Sequence, residues 1–203
     1  MYGDYLIIPS LVSVAEQNRL AKFVGSNELP YRLYASYQHH FDEPDPRFVD
    51  PIQLSHHLYH DGEGTSPHFE RFVPLIMELK NFFGNFTLYR VKVNCGLVQP
   101  GDEKYTPQTP HVDLQMEDGS AVEHWVCLYY IDHSDAPTYF FDKDLNIVKT
   151  IYPEKGKAIL FDGSTLHAAS NPALEPFRFI LNIDLKPEII PERTLNIFDQ
   201  DSL

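Results

Sequence analysis

His111 and Asp113, in the stretch Thr109-Pro110-His111-Val112-Asp113-Leu114, are the first residues of this chain whose types and spacing suggest chemistry. On a strand, alternate side chains share a face, so this imidazole and carboxylate would point the same way. Such a pair on an inner face is costly unless something satisfies both groups, and a divalent metal is one partner that does. The plain alternative is a loop histidine beside a solvated aspartate, and His-x-Asp alone does not separate the two. A second histidine, His167, follows the strand-like residues 157–161 (KAILF) and the turn Asp162-Gly163-Ser164-Thr165. A histidine leaving a turn beside a core strand can aim back toward the first pair, or it can be an ordinary surface residue.

Arg178 is the sharpest single signal. In residues 176–184 (PFRFILNID), Phe177, Phe179, Leu181 and Ile183 fall on one face, and Arg178, Ile180 and Asn182 on the other. An arginine in the middle of an apolar strand needs a partner, and its planar fork suits a carboxylate held at two points. If its face is interior, that anion can be a ligand. Otherwise the guanidinium pairs with a nearby acid or reaches water at a sheet edge. In residues 125–132 (WVCLYYID), alternation puts Leu128 and Tyr130 on one face and Trp125, Cys127 and Tyr129 on the other. A Tyr130 hydroxyl near Arg178 could share the same carboxylate, or Tyr130 is a plain core aromatic. Two histidines and a carboxylate form the facial ligand set typical of non-haem Fe(II) sites, and they also suit zinc.

These residues need elements to position them. Residues 4–9 (DYLIIP) read as an opening strand. Residues 13–25 read as a helix with Ser13 as N-cap, Glu16 as capping-box partner and Gly25 as terminator. Residues 29–64 read as irregular, with a turn at Asp61-Gly62-Glu63-Gly64. Residues 67–84 suit a second helix, which Pro74 would kink or start late. From about residue 86, short Val-, Ile-, Tyr- and Phe-rich segments at 86–95, 110–116, 122–132, 137–142, 146–152, 157–161 and 176–185 read as strands. The expected class is mainly β: a jelly-roll (double-stranded β-helix) core with the N-terminal helices packed on one sheet. The chain is expected to be one domain over 1–203, with strand, helices and loops in 1–85, the core in 86–185 and a tail in 186–203.

Composition narrows the partners. The 203 residues carry 29 acidic against 16 basic side chains, a formal charge of −13, which disfavours a nucleic-acid phosphate backbone as partner. The two cysteines, Cys95 and Cys127, lie in apolar segments and read as buried thiols. No stretch suggests a signal peptide or a membrane span, so a soluble cytoplasmic protein is expected.

Taken together, HVD at 111–113, the Tyr-Tyr strand at 129–130, the run YPEKGKAILFDGSTLH at 152–167 and Arg178 downstream resemble the 2-oxoglutarate/Fe(II) oxygenase superfamily. The likeness is closest to its prolyl 4-hydroxylase-like branch, including compact microbial and phage-encoded members, and it covers residues 86–185. The resemblance implies that His111, Asp113 and His167 bind Fe(II). It implies that Arg178 and Tyr130 bind the distal carboxylate of 2-oxoglutarate, that Thr138 and Asn182 line the pocket, and that Asn94 reaches the keto-acid end. The implied reaction consumes 2-oxoglutarate and O2, releases succinate and CO2 and hydroxylates a C–H bond, with ascorbate as a supporting reductant. The implied substrate is a peptide or protein side chain, or a small metabolite. One departure stands out: where the family has a Gly-Gly pair, this chain has Ser134-Asp135-Ala136-Pro137-Thr138, which puts the shape of that turn in question.

Two other classes fit parts of the pattern. A cupin-like isomerase or a zinc hydrolase would use the same three ligands but has no need of Arg178. A non-catalytic jelly-roll module, lectin-like or virion-decorating, would need none of the four residues. Residues 29–64 and 101–109 are the expected entrance. The histidines there, His39, His40, His56, His57 and His60, read as exposed loop residues, with a second metal site as the alternative.

Overall fold

Strands dominate the computed structural model, which describes residues 5–34, 45–49, 53–98, 105–116, 119–120 and 122–188. His39, His40 and the tail beyond residue 188 lie outside the described residues. In chain order the elements are β1 (Tyr5–Ile8), α1 (Val14–Val24), β2 (Arg32–Tyr34), β3 (Gln53–His60), β4 (Glu63–Gly64), a 3-10 turn (Pro67–Arg71), α2 (Val73–Phe83) and β5 (Phe86–Leu97). After these come β6 (Trp125–Tyr130), β7 (Thr138–Phe141), β8 (Ile147–Ile151), β9 (Ala158–Asp162), β10 (His167–Ala169) and β11 (Phe177–Pro187).

Helix α1 begins as its sequence suggests: the Ser13 hydroxyl accepts the Glu16 N–H, and Gly25 closes the other end through its N–H to Ala21. The expected reciprocal arm of a capping box is replaced, because the Glu16 carboxylate takes the Arg19 guanidinium instead. The helix expected over 67–84 is divided. Pro74 lacks an N–H and is accommodated in the first turn of α2, so the α-helix starts at Val73 and a 3-10 turn precedes it.

The large sheet has the order β1-β9-β6-β11-β5-β3-β2, all antiparallel, with β4 hairpinned onto β3. The small sheet has the order β10-β7-β8. Strand alternation in the large sheet sorts its side chains between two cores, one on each face. Cys127, Tyr129, Leu181 and Ile183 face Leu20, Phe23, Leu75 and Leu79 of the helices, whereas Val126, Leu128, Tyr130, Ile159, Phe161 and Ile180 face Phe140 and Ile151 of the small sheet. The helices thus cover the outside of one sheet, and the second core fills a two-sheet jelly roll. Cys95 and Cys127 are free and buried.

Two sequence expectations change. Residues 110–116 are not a strand: His111 makes one isolated bridge to His167, and the chain bends at Asp113. Residues 53–60, expected to be irregular, form an eight-residue strand paired with β5. His56, His57 and His60 therefore stand on a sheet and are not loop residues. His56 bonds Pro30 O and Ser66 Oγ, while His57 is half-buried opposite Lys92. Among the described residues these histidines form no metal-binding group.

Candidate metal centre and anion recess

The backbone brings the two histidines together. His111 and His167 exchange both N–H···O bonds, at 3.0 and 3.1 Å, which is the narrow hydrogen-bonded pair of an antiparallel ladder. Their rings follow, with centroids 4.9 Å apart. The turn before His167 is locked by Asp162, whose Oδ1 accepts from Ser164 N at 2.8 Å and Ser164 Oγ at 2.6 Å. Gly163 in that turn lies against a buried ring: a Cβ there would sit 2.2 Å from Cε1 of His124.

The ring tautomers are fixed by what they face. Nδ1 of His111 lies 3.1 Å from Thr109 O and Nδ1 of His167 lies 3.0 Å from Thr165 O. A carbonyl only accepts, so each Nδ1 carries a proton, which leaves Nε2 as the ring nitrogen able to bind a metal once it is unprotonated. Burial pushes His111 down to about 4, so it is neutral at pH 7. Asp113 completes the group: Nε2 of His167 is 3.2 Å from its Oδ2, and the three ligand atoms all lie within 4.8 Å of one another. Burial opposes the charge on Asp113, but His167, Lys92 and Arg90 outweigh it and hold the carboxyl well below the usual range. Two imidazole nitrogens and a carboxylate, each oriented by further hydrogen bonds, fit a divalent transition metal.

A recess of about 450 Å³, open mouth included, extends from these residues. The triad, Arg178, Thr138, Asn94 and Asn182 line it, together with Lys92, Gln53 and Gln108. Arg178 is 3 % exposed; its Nε donates to Ala136 O at 3.0 Å and its Nη2 to Thr138 Oγ1 at 2.7 Å. No acidic side chain among the described residues pairs with it. A buried guanidinium with neutral partners only, facing a recess, has the chemistry to take a carboxylate. Tyr130 stands one step behind: its hydroxyl, pushed up to about 12 by burial and hence protonated, bonds Thr138 Oγ1 at 2.8 Å and does not line the recess. Asn182 donates to both oxygens of Asp113, at 3.1 and 3.2 Å, so it orients that carboxylate. The amide oxygen of Asn94 is buried and has no hydrogen-bond partner among the described residues.

The Ser134–Thr138 turn that departs from Gly-Gly needs no positive φ. Ser134 Oγ accepts from Ala136 N, and the Asp135 carboxylate accepts from the N–H groups of Ala173, Leu174 and Glu175. These bonds hold Ala136 O where Arg178 meets it. Sequence reasoning missed Arg90, Lys92 and Asp184 beside Asp113. The signal was present, because Arg90, Lys92 and Asn94 alternate with Val91 and Val93 along one strand, and Asp184 shares the face of Arg178 and Asn182.

Against known proteins, no family model matches the sequence and no curated protein matches it. Solved structures do. A 2OG-Fe(II) oxygenase family oxidoreductase from Burkholderia pseudomallei aligns with a TM-score of 0.67 at 12% identity, over 90% of this chain and 85% of that one. The fold is that of the 2-oxoglutarate/Fe(II) oxygenases. A viral collagen prolyl hydroxylase from Paramecium bursaria Chlorella virus-1, solved as a 2OG complex, aligns at 0.53 and 15% identity, over 90% of this chain and 96% of that one. A Trichoplax adhaerens prolyl hydroxylase, solved with a hypoxia inducible factor peptide fragment, aligns at 0.54 and 15% identity, over 91% and 84%.

Proposed function

We propose that this chain is an Fe(II)- and 2-oxoglutarate-dependent dioxygenase that hydroxylates a C–H bond of a peptide or protein side chain, or of a small molecule. The observation that carries the reading is the convergence, in one recess, of a two-histidine, one-aspartate group with a buried arginine that has no acidic partner among the described residues. A zinc hydrolase or cupin-like isomerase leaves Arg178 without a purpose, and a non-catalytic module leaves all four residues without one.

His111, His167 and Asp113 would hold the iron through their Nε2 atoms and a carboxylate oxygen. Bound iron with 2-oxoglutarate and O2 supplies the oxidising power for C–H hydroxylation, with succinate and CO2 as co-products. The protein binds, orients and keeps water out. Arg178 takes the distal carboxylate of the co-substrate with the help of Thr138, and Tyr130 holds the Thr138 hydroxyl in place. Asn94, with its spare amide oxygen, is placed for the keto-acid end. Leu128 and Ile180 give the recess an apolar wall. No residue is needed as a general base. The peptide ligand of the Trichoplax enzyme and the prolyl hydroxylases among the fold relatives favour a peptide substrate over a free metabolite. A reducing cytoplasm suits Fe(II) and the buried thiols Cys95 and Cys127.

The test is uncoupled turnover. Purified protein with Fe(II), 2-oxoglutarate and ascorbate is expected to form succinate slowly, and Arg178→Ala is expected to lose 2-oxoglutarate binding while keeping metal. Absence of both succinate formation and 2-oxoglutarate binding would overturn the reading.

A further inference from the structure

Asp113 is gripped on one side. Its Oδ1 receives Nη2 of Arg90 at 2.7 Å and Nδ2 of Asn182 at 3.1 Å, and Nζ of Lys92 lies 3.7 Å away. Its Oδ2 faces Nε2 of His167 at 3.2 Å and takes only a second, longer contact from Asn182. Arg90 also reaches the Asp113 backbone carbonyl at 3.3 Å, so one guanidinium nitrogen grips both the side chain and the main chain of the same residue. Arg90 is itself fixed from behind, its Nε donating to Oδ2 of Asp184 at 2.6 Å, and that carboxylate is wholly buried.

Strand register builds this arrangement. On β5 and β11, Arg90 stands opposite Asp184 and Lys92 opposite Asn182. Cross-strand neighbours share a face, so two adjacent pairs present a cation and an amide to the single aspartate that bends in above them. The planar fork of arginine suits the task because it donates in two directions at once, Nε to Asp184 and Nη2 to Asp113. Lysine, a point charge, cannot span both.

We infer that Arg90, held by Asp184, is a positioning residue that occupies Oδ1 of Asp113 and so offers the metal one oxygen, Oδ2. The consequence is chemical. A carboxylate free to turn could present both oxygens to the metal and fill a position that 2-oxoglutarate or O2 needs; one already satisfied at Oδ1 cannot. The inference rests on the metal-binding reading proposed above and deepens it.

Mn(II) affinity measured by electron paramagnetic resonance, and the visible spectrum of the Co(II)-loaded protein, test it without turnover. Arg90→Met is expected to weaken Mn(II) binding by about 10–100-fold, the usual effect of losing an outer partner of a metal ligand, and to change the Co(II) spectrum. Arg90→Lys is expected to keep the melting temperature within reach of the parent without restoring the affinity or the spectrum. Asp184→Asn is expected to fall between the parent and Arg90→Met. If Arg90→Met does not fold, the lysine and asparagine variants still decide. Parent-like affinity and spectrum in Arg90→Lys would reduce Arg90 to a charge balance and overturn the inference. A parent protein that binds no metal, or binds it equally well as His111→Ala, would instead overturn the functional reading itself.

Discussion

Arg178 gives up its water on burial and, beyond the ring of Tyr130 beneath it, receives one backbone carbonyl and one hydroxyl in return. Neither carries charge, so the exchange is poor unless an anion arrives, and the Thr138 hydroxyl is the hinge of the arrangement. It accepts from Nη2 of Arg178 and shares a second bond with Tyr130. Thr138→Val keeps the shape of the side chain and deletes both bonds. A hydrogen bond to a charged group contributes about 1.5–3 kcal/mol, so 2-oxoglutarate affinity in Thr138→Val should fall by at least about tenfold, with Mn(II) affinity unchanged. Titration by isothermal calorimetry reads both, and an unchanged 2-oxoglutarate affinity would remove Thr138 from the anion site. At this scale residue type was informative where a side chain is out of place for its setting. An arginine among Phe and Ile, or a histidine two residues from an aspartate, announces itself. Arg90 and Asp184 are easier to pass over, because charges alternating with apolar residues along a strand read as its solvated face until the neighbouring strand is known.

The elements explain where sequence patterns mislead. Residues 110–116 were expected to be a strand, which would put His111 and Asp113 on one face; the two do converge, but through a single bridge to β10 and a bend that brings Asp113 over β5 and β11. Strand β3 (QLSHHLYH) lacks the β-branched residues that mark a strand, and it forms because β5 supplies a paired edge, a tertiary cause that no local propensity encodes. Its register sets His57 beside Lys92. Burial first, then Lys92 and Arg90, push His57 down to about 4 from an ordinary value near 6.5. The sign follows from linkage: between those values the unfolded chain takes a proton that the folded chain refuses. Stability is therefore intact above about pH 6.5, is lost as pH falls toward 4, and loses nothing further to this group below that. Urea midpoints of the parent and of His57→Gln across this window should converge as pH falls, the variant being the less sensitive of the two. Parallel curves would mean that His57 charges freely in the folded state.

At the scale of the whole molecule, the centre joins the two sheets of the roll. His167 belongs to β10 of the small sheet and His111 is bridged to it, whereas Asp113 is anchored on β5 and β11 of the large sheet. A metal held by all three would bind the folded chain and not the unfolded one, since only folding brings the ligand atoms within 4.8 Å. Ligand binding to the native state alone adds about 2.7 kcal/mol at a hundredfold excess over the dissociation constant. For a chain of this length each kcal/mol raises the melting temperature by about 2–4 °C, so saturating Mn(II) should raise it by about 5–10 °C over the chelated protein. His111→Ala keeps the backbone bridge and should fold, yet its melting temperature should not respond to Mn(II). Arg178→Ala should respond like the parent, because its guanidinium bonds Ala136 O and Thr138 Oγ1 and none of the three ligand side chains. Calorimetric scans of the three proteins with Mn(II) and with EDTA separate these outcomes, and an equal shift in His111→Ala would place the stabilising ion somewhere other than between the sheets.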